Sequence, residues 1–139
     1  MGRRTGRKLV LQALYQADLR QEDIDTIIDD FFSNYVKESD MTSWSKELTK
    51  DIWNKKEELD EIITKYSIDW EIDRINIIDR NIIRIAIFEL TNTDTDIAVI
   101  LNEAIELAKK YSTDESPKFI NGILGTYVEG KCLPESSKK

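Results

Sequence analysis

The chain has 139 residues, of which 40% are apolar and 34% are charged, and its formal net charge is −7. These values suit one globular domain or two tightly packed halves, and they exclude a disordered chain. The sequence has no histidine, which excludes nucleophile–histidine pairs and the usual general base at neutral pH. Carboxylate or lysine chemistry stays open, but the acidic residues are spread over helix surfaces. We therefore expect no enzyme, no metal and no cofactor.

Apolar residues recur at spacings of three and four along most of the chain, which predicts amphipathic helices. The first three are expected over residues 7–20, 23–37 and 43–66, the last long enough to bend. Residues 71–91 are rich in isoleucine, which locally favours a strand, but the longer window fits a helix better. Helices over 97–111 and from Ser116 onward complete the series, and Pro117 follows Ser116 as a start signal.

This pattern predicts an all-α fold of about seven helices in two packed subdomains. We expect an N-terminal subdomain over residues 1–66, a C-terminal subdomain over 67–130 and a polar tail over 131–139. No run of about 18 apolar residues occurs, so no membrane span is expected. The single cysteine, Cys132, cannot form an internal disulfide, which fits the cytoplasm.

Charge is distributed unevenly near the start of the chain. Residues 1–17 hold four bases and no acid, whereas residues 18–40 carry a net charge of −6. An acidic protein repels RNA as a whole, so any RNA contact should be confined to the local basic patch. A basic end that only frays in solvent is the alternative.

Three stretches resemble the NusB family of bacterial transcription-antitermination factors, in order and over nearly the full length. The first covers residues 3–16 and the second covers residues 79–90. The third pairs an Asn-Glu-Ala-x-Glu-Leu-Ala helix, beginning at Asn102, with Ser-x-Lys-Phe-Ile-Asn-Gly-Ile-Leu, beginning at Ser116. This last pair is the most specific. Glu115 departs from the family pattern, which often has aspartate there, and Pro117 departs from a more usual polar residue.

The resemblance implies an RNA- and protein-binding factor. It implies binding of boxA RNA together with the ribosomal protein NusE, within an antitermination complex on RNA polymerase, notably for ribosomal RNA transcription. Some family members dimerise through the RNA-binding surface, so a homodimer is a further expectation. The alternatives are a structural helical oligomer and a substrate-recognition subunit of an RNA-modifying enzyme, although 139 residues leave no room for a methyl-donor domain.

The resemblance also assigns roles to particular residues. The family's basic arm corresponds to Arg3, Arg4, Arg7 and Lys8, which can neutralise phosphates. Gln12 and Tyr15 share a helix face with each other, and for each of them RNA contact and ordinary packing or solvation remain open.

Two further positions match the family at the start of the last helix and early in residues 79–90. Lys118 and Phe119 correspond to a second RNA-facing patch, with a place in the core as the alternative for Phe119. Asp79 corresponds to an acidic position of the NusE-binding surface, with a solvated acid near a helix start as the alternative.

Overall fold

The computed structural model describes residues 3–35, 40–67 and 71–131, and within them it contains seven α-helices and no strand. This confirms the predicted all-α class. Cys132 and the tail that follows it lie outside the described residues. The helices are α1 (Arg3–Arg20), α2 (Ile24–Tyr35), α3 (Asp40–Asn54), α4 (Lys56–Tyr66), α5 (Ile77–Asn92), α6 (Ile97–Tyr111) and α7 (Ser116–Lys131), with a 3₁₀ helix, Ile72–Arg74, before α5.

Contacts divide the chain into two compact units, an N-terminal unit, Met1–Lys56, and a C-terminal unit, Glu57–Lys139. The boundary expected from the sequence lies ten residues later, at residue 66. The difference concerns α4, which belongs with the C-terminal unit because its side chains pair there. Asp60 of α4 binds Arg84 of α5, and Tyr66 packs edge-on against Tyr127 of α7.

The N-terminal unit is a three-helix packing in which α1 contacts both α2 and α3. Its apolar cluster comes from one face of α1 and one face of α2, with Phe31 and Phe32 in edge-to-face contact, 5.1 Å between ring centroids. Helix α1 ends where Gln21 adopts a left-handed conformation with φ 55°. Arg20 then pairs with Glu22 and Asp30, at 2.6 and 2.7 Å, which ties the end of α1 to α2.

The single bent helix predicted over residues 43–66 is in fact two helices. Lys55 separates α3 from α4, and its backbone N–H donates to Asp51 O and Ile52 O, 3.2 and 3.1 Å away. The continuous pattern of apolar spacing on both sides conceals this break, because each half keeps its own buried face.

Helix α5 is the centre of the C-terminal unit and packs against α6 and α7. Every residue from 81 to 89 is buried, which explains the isoleucine run, since a helix covered on all sides is apolar all round. The helix starts at Ile77 because Asn76 caps it, its Oδ1 accepting the backbone N–H of Asp79 at 2.8 Å. Among the described helices, none is both long and apolar enough to cross a membrane.

Candidate nucleic-acid interface

The exposed side of α1 carries four of the predicted RNA-binding residues in one line. Arg4, Lys8, Gln12 and Tyr15 follow at spacings of four, four and three residues, which places them along one helix face. Arg4 and Gln12 are exposed, Lys8 is half-buried, and Tyr15 is 37% exposed. We call these four residues the outer stripe. Together they present two cations, an amide and an aromatic ring, which are groups that contact phosphates, base edges and base faces.

Arg3 and Arg7 lie on a different side of α1, against α3. Their guanidinium carbons are 5.2 and 5.8 Å from the ring centroid of Trp44, within the range of cation–π attraction. Arg3 is exposed, whereas only 4% of Arg7 is exposed. Arg7 therefore takes part in the packing of the N-terminal unit, and its contact with RNA stays a prediction.

Gly6 allows α1 to approach α3 closely enough for this arrangement. A Cβ atom at Gly6 would lie 2.7 Å from two ring carbons of Trp44, a distance that real Cβ atoms essentially never show. The carbonyl oxygen of Gly6 also accepts a hydrogen bond from the buried hydroxyl of Ser45, at 3.2 Å. The sequence reasoning missed both Gly6 and Trp44 as parts of this site. The first helix was predicted over residues 7–20, so Gly6 lay outside it, whereas α1 in fact begins at Arg3.

Cations stand at two helix starts where acids are the usual choice. The first turns of α1, α6 and α7 contain no acidic residue, whereas those of α2, α4 and α5 each contain at least one. Of the three helices without an acid, α1 and α7 have cations in the first turn and α6 has none. A helix N-terminus is its positive end, so each cation there opposes folding by roughly 0.3 kcal/mol or more. The start of α1 combines two arginines with the positive end of the helix, which creates a local positive potential that attracts anions. At the start of α7, Lys118 is the one cation of the first turn, and the exposed acids Asp114 and Glu115 come just before it.

Asp79 is buried, which corrects the alternative that it is a solvated acid. It is 5% exposed, and its two carboxylate oxygens accept hydrogen bonds from the hydroxyls of Ser112 and Ser116, at 2.6 and 2.9 Å. Neither serine is near Asp79 in the sequence, so spacing could not have revealed the pairing. The carboxylate is engaged inside the C-terminal unit, and contact between Asp79 and NusE stays a prediction.

Lys118 and Phe119 occupy the first turn of α7, as expected. Lys118 is exposed and Phe119 is half-buried, so Phe119 is neither a full core residue nor a fully open surface. Phe119 lines a cavity of about 210 Å³ together with Ile75, Asn76, Asp79 and Ser116. Arg74 and Glu115, which carry opposite charges, also line this cavity. Among the described residues, no three His, Cys, Asp or Glu side chains are grouped as metal ligands.

Comparison with known proteins relates this chain to transcription antitermination proteins. The profile of the NusB family matches residues 4–129. The transcription antitermination protein NusB of Streptomyces coelicolor is 40% identical over 133 residues, which cover 93% of this chain and 94% of that protein. That of Carboxydothermus hydrogenoformans is 38% identical over 135 residues, covering 93% of this chain and 94% of that protein. These relatives are named as transcription antitermination proteins and not as enzymes, in agreement with the expectation from the sequence.

Solved structures show the same likeness. NusB of T. maritima aligns with a TM-score of 0.85 and 31% identity, covering 99% of this chain and 97% of that one. A crystal structure of antitermination factors NusB and NusE in complex with double-stranded RNA contains a chain that aligns with a TM-score of 0.80 and 27% identity. That alignment covers 94% of this chain and 99% of the other.

Proposed function

This chain belongs to the NusB family of transcription antitermination proteins, and from this premise we propose that it binds boxA RNA together with the ribosomal protein NusE. In the cytoplasm, the resulting complex helps to assemble an antitermination complex on RNA polymerase, notably during transcription of ribosomal RNA. A similar chain occurs in a solved complex of NusB, NusE and double-stranded RNA, which supports both partners. The observation that carries the proposal is the outer stripe of α1.

The outer stripe is suited to RNA for two reasons. Its cations begin a helix without any acid in its first turn, so they add to the positive end of the helix dipole. Gln12 and Tyr15 then continue the same face with an amide and a ring, which can read a base edge and stack on an unpaired base. A solvated helix face needs neither feature.

In this proposal, NusE raises the affinity of the chain for RNA. The chain carries a net charge of −7, so its overall field opposes the approach of RNA to the basic start of α1. We expect the RNA affinity of the chain alone to be weak and that of its mixture with NusE to be higher, because two proteins offer a composite surface. Equal affinities with and without NusE would contradict this part of the proposal.

The test is a titration of labelled boxA RNA at two salt concentrations, with and without NusE. The informative variant is Arg4/Lys8→Ala, which removes both cations of the outer stripe and spares Arg3 and Arg7, whose guanidinium groups lie over the Trp44 ring. A matched control is Lys109/Lys110→Ala, which removes the same charge from two exposed residues at the end of α6. If Arg4 and Lys8 neutralise phosphates, the variant lowers the salt slope by roughly 1.4, that is about 0.7 for each lost contact with single-stranded RNA.

The control variant decides between a local patch and total charge. Equal losses of affinity in the two double variants would show that only net charge matters, and the outer stripe would lose its role. Light scattering on the same samples measures self-association. A dimer that RNA dissociates fits the proposal, whereas a dimer that is indifferent to RNA favours a structural oligomer.

A further inference from the structure

Asp79 links the start of α5 to the connection between α6 and α7. Its backbone N–H is held by Asn76, at 2.8 Å, so its position on α5 is fixed. Its carboxylate reaches residues 33 and 37 positions further along the chain, Ser112 and Ser116. Ser112 is the C-cap residue directly after α6, and Ser116 is the first residue of α7. One side chain therefore sets the spacing between two helix ends.

Counting hydroxyl protons shows that this cluster is fully engaged. Each serine hydroxyl has one proton to donate, and Ser112 and Ser116 both direct theirs to Asp79. The oxygen of Ser116 then accepts from the backbone N–H of Thr113 at 3.2 Å and lies 2.8 Å from the Thr113 hydroxyl, which can donate to it. Ser116 is 1% exposed and its bond to Asp79 is buried, whereas the bonds of Ser112 and Thr113 are partly buried. Together these bonds hold the connection in one arrangement.

We propose that Asp79 is a positioning residue for RNA binding: by holding Ser112 and Ser116 it fixes the direction in which Lys118 and Phe119 leave the start of α7. This inference rests on the proposed function, because it takes Lys118 and Phe119 as contacts for RNA. Lys118 and Phe119 follow Ser116 within a single helical turn. A tilt at Ser116 therefore moves both side chains together.

The cavity beside Phe119 is the second observation that supports this role. Asp79, Thr113 and Ser116 form part of its wall, and the ring of Phe119 forms another part. If the connection were released from Asp79, Phe119 could fill this space and its ring would turn away from the surface. The hydrogen bonds of Asp79 thus keep a half-buried ring from becoming a fully buried one.

The test compares Asp79→Asn, which keeps the shape and removes the charge, with Thr49→Ala. Thr49 is a suitable control because it is also a buried side chain with one hydroxyl bond, 2.7 Å to Ser45 O, but it lies in the N-terminal unit. Hydrogen exchange in the absence of RNA is measured first. We expect faster exchange of the amides of Thr113 and Ser116 in Asp79→Asn and no change there in Thr49→Ala. Ser112→Ala replaces Asp79→Asn if the latter does not fold.

Binding of boxA RNA with NusE is then measured in a double-mutant cycle. Asp79→Asn should weaken binding by about five- to tenfold, the scale of one ordinary hydrogen bond. In a Lys118→Ala/Phe119→Leu background the same change should cost about twofold or less, because the residues through which Asp79 acts are already removed. Two results would overturn the positioning role: the same loss of affinity from Asp79→Asn in both backgrounds, or an equal loss of affinity in Thr49→Ala.

The two measurements separate this inference from the proposed function. In one outcome, the unaltered protein binds no RNA even with NusE, while Asp79→Asn still accelerates hydrogen exchange at residues 112–116. The proposed function then fails, and the role of Asp79 in RNA binding fails with it. If RNA binds but neither exchange nor affinity changes in Asp79→Asn, the proposed function stands and Asp79 is not a positioning residue.

Discussion

The start of α1 lies against the ring of Trp44, whereas the start of α7 is tied to α5 by a buried carboxylate. Both starts present cations and lack an acid in the first turn. The first is held by close packing of a glycine on an aromatic ring and by cation–π contacts. The second is held by hydrogen bonds to one charge. The two helix starts should therefore respond to different kinds of mutation.

This difference extends from the two starts to the units around them. In the N-terminal unit, α1 and α3 meet closely at a small residue and an aromatic ring, Gly6 and Trp44. In the C-terminal unit, Arg84 is 3% exposed and forms a bidentate salt bridge with Asp60, with two hydrogen bonds of 2.8 Å. It donates a third hydrogen bond to Asn81 Oδ1, also at 2.8 Å. Buried polar groups tolerate the loss of a partner poorly, whereas packed apolar groups tolerate change in proportion to volume.

The largest effect is expected from Arg84→Ala. It leaves Asp60 without its partner and opens a gap between α4 and α5, so we expect the free energy of unfolding to fall by roughly 3 kcal/mol or more. Urea denaturation followed by circular dichroism measures this. Lys109→Ala is the control, because Lys109 and Glu106 form an exposed pair at 3.8 Å, whose removal should change stability by less than about 1 kcal/mol. Similar losses in the two variants would remove the distinction between buried and exposed charge.

A smaller effect is expected from Gly6→Ala, which tests the packing of the N-terminal unit. The new methyl group would meet the Trp44 ring at 2.7 Å, an overpacking that costs about 1–3 kcal/mol, partly offset by about 1 kcal/mol from the better helix propensity of alanine. We expect a net loss of stability, and weaker RNA binding because Arg3 and the outer stripe shift with α1. The same urea titration and RNA titration measure both.

Gly122→Ala is the matched control for that prediction. Gly122 also lies inside a helix, but a Cβ atom there would have no neighbour within 4 Å. Only helix propensity then changes, and we expect a gain of about 0.5–1 kcal/mol. If both substitutions stabilised the protein, the close approach of α1 to Trp44 would not constrain residue 6.

The sequence predicted the helices well and the site in part, for identifiable reasons. Spacing of apolar residues locates a helix, and it correctly favoured a helix for the isoleucine run of α5. It could not locate the break at Lys55, because the apolar pattern continues across it. For the basic arm, helical spacing separates two pairs: Arg3 and Arg7 fall on the side of Val10, which is buried, whereas Arg4 and Lys8 fall roughly 100° further round the helix.

What spacing cannot supply is the partner of a buried polar group. Asp79 has the sequence context of an exposed acid in a first helical turn, and such acids are usually solvated. Its burial depends on Ser112 and Ser116, which are brought to it by the packing of α6 and α7 on α5. The residues next to Asp79 in the sequence do not indicate that contact. The contact between Asp79 and NusE was predicted from the family resemblance, and it stays a prediction.

The smallest effect concerns the far end of α7, where the C-terminal unit resembles the N-terminal unit in being held by rings. Tyr127 is 1% exposed and packs edge-on against Tyr66, 5.5 Å between centroids. Burial raises the pKa of the Tyr127 phenol from its usual 10.0, and the nearby Tyr66 raises it further.

A raised pKa in the folded state means that the folded protein holds this proton more tightly than the unfolded chain does. The corresponding stability is complete below the unfolded pKa of about 10 and is lost as the pH rises towards the folded pKa. Tyr127→Phe has no phenol to titrate, so the stability of the unaltered protein relative to this variant should stay constant up to about pH 9 and fall as the pH rises above about 10. Urea denaturation at several pH values measures the difference. Other groups that titrate in this range are common to both proteins and cancel in the difference. Parallel stability curves would therefore mean that Tyr127 is not shielded from water, and that the end of α7 is held less tightly than its start.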